Sequence, residues 1–220
     1  MGYYRGFLMS IFSIANLLVS CLLALLMLPL FSGVLKNNEQ LMNMMLYYTE
    51  GSEQLADVEQ ARLNVAELSS EQLDEIINGA QLARPYDSLV KSNIAQEIFA
   101  DEGITTVGDY FNRTIVCVGI NILLFIVSFA ILYVVINLVL RAIDYSRPFP
   151  ILKQFDNLLG AGVGLMRATL LVFVIFTIIP LMLVILPEGF SSTIQHYLDQ
   201  SFFGTFFYES NFLLNLIPGV

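Results

Sequence analysis

The chain has 220 residues, of which 56% are hydrophobic and only 13% charged, with a mean hydropathy of +0.71. Soluble domains carry about 25% charged residues, so most of this chain is built for contact with lipid. Its formal net charge of −9 excludes a nucleic-acid surface, which needs clustered Lys and Arg.

Residues 1–35 read as a short N-terminal turn and a first transmembrane helix. Gly6 to Leu35 carries no charge. That is longer than the roughly 20 residues a span needs, and too long for a signal-peptide core. Its end is expected near Pro29 or Ser32-Gly33. Residues 36–112 form an acidic lobe of short helices. Ser69-Ser70-Glu71-Gln72, ahead of Leu73, Ile76 and Ile77, is a capping-box pattern on an amphipathic helix. Asn78-Gly79 loosens or ends that helix, and Arg84-Pro85 breaks the chain again. Glu53 to Leu68 reads as a further helix with Leu55, Val58, Arg62 and Val65 on one side.

Residues 113–141 hold the second span, Thr114 to Leu140, bracketed by Arg113 and Arg141. In the loop 142–159, Ser146-Arg147-Pro148-Phe149-Pro150 turns. Then Ile151, Leu152, Phe155, Leu158 and Leu159 recur at the spacing of a helix lying in the membrane interface. The third span, 160–187, is interrupted only by Arg167. The tail, 188–220, has no basic residue and reads as one or two interfacial helices. The expected fold is therefore an all-α membrane protein with three transmembrane helices, a helical lobe and interfacial amphipathic helices.

Basic residues in short loops orient such a chain. Arg5 precedes span one, and Arg141, Arg147 and Lys153 lie between spans two and three. This places the N-terminus in the cytoplasm and the acidic lobe and tail outside it.

Small and polar residues line the spans. Gly6, Ser10, Ser13, Asn16, Ser20 and Ala24 share a stripe about 120° wide on the first, at about 100° per residue. On the second, Thr114, Cys117, Asn121 and Ser128 face one way and Gly119, Ala130 and Asn137 the other, a pattern suited to the middle of a bundle or to one face serving a second copy. Gly160, Gly164 and Ala168 open the third at four-residue intervals. Such stripes serve helix packing; the competing reading is a solute path. Arg167 either snorkels to cytoplasmic headgroups or meets a buried partner, with Asp156 and Asp144 the nearest candidates.

Catalytic chemistry finds little to work with. Cys21 and Cys117 lie in apolar spans and read as buried thiols. His196 is the single histidine, which rules out a His-based metal cluster within one chain. There is no Walker, GxSxG or dinucleotide-binding pattern. The expectation is a protein that is not an enzyme and needs no cofactor.

Gly2-Tyr3-Tyr4-Arg5-Gly6-Phe7 and Gly164-Leu165-Met166-Arg167-Ala168 share a G-x-x-R-small pattern at the cytoplasmic start of a helix. Together with Asp156-Asn157-Leu158-Leu159-Gly160, they resemble the colicin V production (CvpA) family of bacterial membrane proteins. The tail Tyr208-Glu209-Ser210-Asn211-Phe212-Leu213 is also similar to that family's C-terminal end. The family usually has four spans, whereas this chain begins at the turn that follows the first. Ala168 stands where the family usually has Gly. The resemblance implies a plasma-membrane protein that supports toxin production or export and envelope homeostasis. Gly2, Arg5, Gly6, Asp156, Gly160, Gly164 and Arg167 would then be motif residues. Membrane lipids, and a protein partner or a second copy of the chain, are the expected partners, with no nucleic acid. The alternative is an oligomeric channel or transporter subunit in which Asn16 and Asn121 line the path.

Overall fold

A backbone in hydrocarbon must satisfy its own N–H and C=O groups, and a helix does so within one segment. The computed structural model describes residues 2–49, 51–55, 57–80, 82–142 and 156–220. Among them the sole strand-like feature is an isolated antiparallel bridge between Asn64 and Thr106. In chain order, α1 (Gly2–Lys36) leads into lobe helices α2 (Glu39–Thr49), α3 (Val58–Ala61), α4 (Ser70–Ala80) and α5 (Tyr86–Ala95). Then come α6 (Val107–Ala142), α7 (Asp156–Phe176), α8 (Ile179–Ile185), α9 (Glu188–Gln200) and α10 (Phe202–Glu209).

Three segments are long and apolar enough to cross a bilayer: Met9–Lys36, Val107–Arg141 and Asn157–Ile185. The first helix runs through Pro29 and Gly33 to Lys36, past its expected end. Continuing the helix keeps the backbone groups beyond Pro29 bonded, which outweighs the local preference to stop. It is also α1, not the second span, that sits in the middle, packing along both α7 and α6. The cause is its small-residue stripe. Ser10, Asn16, Ser20 and Ala24 are all buried, flanked by Leu17, Cys21 and Leu28, and small side chains let backbones approach.

The second span belongs to two environments. Between Tyr110 and Ile122, α6 is buried almost all round by α1, the lobe and the tail. From Leu123 onward it exposes Val127, Ile131, Val134, Val135, Leu138 and Val139 on one side. A helix apolar all round wants burial on every face. Here protein supplies it for one half and the exposed apolar face of the other half suits lipid.

The lobe is held by an apolar cluster. Met42, Leu73, Ile76, Ile77, Val90 and Phe99 pack on Val107, Tyr110 and Phe111 of α6. The capping box forms as expected: the Gln72 N–H donates to Ser69 Oγ at 3.3 Å, and the Ser69 N–H donates to Gln72 Oε1 at 3.0 Å. The helix passes Asn78 and Gly79 and ends at Ala80. The single helix expected over Glu53 to Leu68 is instead broken into the short helix α3 between two 3-10 turns, Gly51–Gln54 and Val65–Glu67. Asp57 and Asn64 explain this, because each side chain accepts a backbone N–H two residues on. Such local bonds compete with a continuous helix.

The third span is not one helix. It stops at Phe176 and restarts at Ile179, with Pro180 in the first turn of α8. Most of the loop predicted between spans two and three, including Asp144, Arg147 and Lys153, lies outside the described residues. The tail forms α9 and α10, but its end does not stay at the surface. Leu213, Leu214 and Ile217 are buried, the first and last in the same cluster as Leu17, Leu28 and Phe125 of the bundle.

Candidate functional site

Two polar clusters occupy the apolar interior, one on each side of the bundle's midpoint. The first lies away from the lobe. Asn16 of α1 accepts from Ser20 Oγ at 3.1 Å through Oδ1 and donates through Nδ2 to the backbone carbonyl of Tyr133, 3.4 Å away. The same Tyr133 takes a hydrogen bond from the Arg167 guanidinium on its hydroxyl. The guanidinium carbon also sits 5.9 Å from the ring centroid, within cation–π range. The three membrane helices therefore meet at one tyrosine. Tyr133 lies eight residues before Arg141, about 12 Å along the helix.

Arg167 thus has a partner that sequence reasoning did not name. Its expected partner Asp156 opens the same helix eleven residues earlier, about 16 Å along the axis, and Asp144 lies outside the described residues. Gly164 and Arg167 also sit well within α7 and not at a helix start, because the helix begins at Asp156. Gly160 is buried, Gly164 half-buried and Ala168 exposed, so the four-residue stripe packs only at its beginning. Gly2, Arg5 and Gly6 lie in the opening turns of α1, where the backbone is already helical.

The second cluster lies on the lobe side. Asn121, fully buried in α6, donates to the Pro218 carbonyl at 2.7 Å and more weakly to Val220 at 3.5 Å. Asn93 of α5 donates to Thr114 Oγ1 at 3.0 Å and to the Gly219 carbonyl at 3.2 Å. Nearby, the break in the third span is closed by the tail. Asn211 Nδ2 donates to the Phe173 carbonyl at 3.0 Å and lies 3.4 Å from Thr177 Oγ1. Phe207 and Phe212 meet Phe173 edge-on, with centroids 5.2 and 5.5 Å apart.

Arg84 ties the lobe to the tail. It donates to the Glu209 carbonyl at 2.9 Å, and its own carbonyl accepts from Tyr208 Oη at 3.1 Å. Burial pushes the Tyr208 phenol above its ordinary range, Asp87 pushes it further and Arg84 opposes both. Burial does the same to Tyr86, whose hydroxyl has no hydrogen-bond partner. Among the described residues no group of three or more His, Cys, Asp or Glu side chains is placed to hold a metal.

Asn16 and Arg167 are therefore brought together, while Asn121 belongs to a different cluster. Tyr133 and Asn93 escaped sequence reasoning, and Asn211 entered it only as part of the family-like tail. Two of them carried a readable signal, since an Asn beside apolar residues in a chain this hydrophobic needs a partner. No family model, curated protein or solved structure matches this chain.

Proposed function

We propose that this protein is a non-catalytic plasma-membrane protein that works through lipid or protein partners, in toxin production or export or in envelope homeostasis. The observation that carries this reading is where the buried amides are spent. Asn16, Asn121 and Asn211 all donate to carbonyls of their own chain. A solute path needs polar groups free to replace hydration, and these amide N–H groups are committed to packing, while the Asn121 Oδ1 is buried without a donor. The break at Thr177-Ile178 is likewise covered from within by Asn211, which donates to the Phe173 carbonyl one turn earlier.

The basic residues put the N-terminus in the cytoplasm, with the lobe and tail on the outer face. The resemblance to the colicin V production family supplies the biological setting. The test is reconstitution of the purified protein into liposomes loaded with ions and small metabolites. No flux above empty vesicles is expected. Flux that disappears in Asn16→Leu and Asn121→Leu, with folding retained, would replace this reading by that of an oligomeric channel.

A further inference from the structure

A cavity of about 600 Å³ opens where α1, the lobe and the returning tail meet. Towards the bundle it is walled by Leu25, Leu28 and Pro29 of α1. At its lobe end stand Lys36, Arg113 and Glu102. Arg113 Nη2 pairs with Glu102 Oε2 at 2.6 Å, but its Nε is buried and unpartnered. The Lys36 ammonium is also buried with no hydrogen-bond partner. Among the described residues, Glu102 is the only carboxylate paired with either cation. Val220 also lines the cavity, its backbone oxygen 3.5 Å from the Asn121 amide.

An ammonium out of water without an acceptor is a costly arrangement, and a fold keeps it where an anion compensates. The depth is also specific. Arg113 and Arg141 are 28 residues apart on one helix, about 42 Å, the span of a bilayer with both headgroup layers. Lys36 and Arg113 therefore sit at headgroup depth, and the apolar wall runs from them towards the hydrocarbon. The size lies within the roughly 300–1,000 Å³ of ligand cavities.

We infer that this cavity binds an anionic membrane phospholipid. Lys36 and Arg113 hold its phosphate, Glu102 keeps Arg113 oriented, and one acyl chain lies along Leu25, Leu28 and Pro29. This deepens the lipid side of the proposed function and rests on it only for biological meaning.

The test is native mass spectrometry of the purified full chain titrated with phosphatidylglycerol, phosphatidylcholine or inorganic phosphate. Phosphatidylglycerol should bind at least tenfold more tightly than phosphatidylcholine, and phosphate should compete poorly. Lys36→Gln should erase that preference and Lys36→Arg should keep it, which separates lost charge from lost fold. Equal binding of both lipids would overturn the inference. So would undiminished preference in Lys36→Gln, or phosphate alone displacing the lipid. Solute flux in liposomes bears on the proposed function only, so the two can fail separately.

Discussion

Asn121 donates its side-chain amide to the carbonyl of Pro218, 2.7 Å away and 97 residues later in the chain. With Asn93 holding Gly219, this bond fastens the last residues against the buried half of α6. The Gly219 bond is buried and the Pro218 bond half-buried, so water replaces neither amide freely.

Asn121→Ala is expected to cost about 1–3 kcal/mol, the usual penalty of stranding a buried acceptor. Denaturation in detergent micelles reads the loss, and hydrogen exchange should speed up across residues 211–220. Unchanged exchange there would mean that Leu213, Leu214 and Ile217 hold the tail without help.

The Arg167–Tyr133 contact can be separated by a double-mutant cycle. Tyr133→Phe keeps the ring and removes the acceptor, whereas Arg167→Gln removes the charge. A coupling of about 1 kcal/mol is expected, in the range measured for interhelical bonds in membranes. Additive effects would show that Arg167 answers to headgroups alone.

Tyr86→Phe should stabilise the protein by about 1 kcal/mol, because it removes a buried hydroxyl that bonds to nothing. Burial raises the folded-state pKa of Tyr86 and Tyr208 above the unfolded value of about 10. Their contribution is thus complete below pH about 10 and falls as the pH climbs beyond it. A melting temperature that drops less steeply at high pH in Tyr86→Phe than in wild type checks both sign and site; parallel curves would refute it.

Gly108→Ala tests the seam between lobe and membrane region. An added β carbon would lie 3.0 Å from both the β carbon and the carbonyl oxygen of Ala61. Because one of those atoms is backbone, α3 must shift, and about 1–3 kcal/mol of destabilisation follows. Loss of lobe protection in limited proteolysis should accompany it, and wild-type stability would show that α3 moves freely.

The three spans were legible because each is an apolar run longer than any soluble helix needs, and the cap on α4 because its residues are contiguous. The burial of Ser10, Asn16, Ser20 and Ala24 also followed from their spacing. What stayed hidden was non-local. Apolar residues of α6 look alike whether lipid or the lobe surrounds them, so its change of environment at Leu123 leaves no mark on periodicity. Ile217 and Pro218 lie at the end of a tail that reads as interfacial, and only partners such as Leu17 and Asn121, 90 or more residues away, turn them inward. Pro180 was a visible breaker inside span three, yet a proline in a membrane helix is also tolerated without a break.

The unbroken course of α6 has a mechanical consequence. One continuous helix of 36 residues, about 54 Å long, has one portion clasped by the lobe and an exposed apolar face on the other. No hinge separates the two, so a pull on the lobe is delivered below as leverage. A force applied to the lobe is therefore expected to tilt this helix as one body.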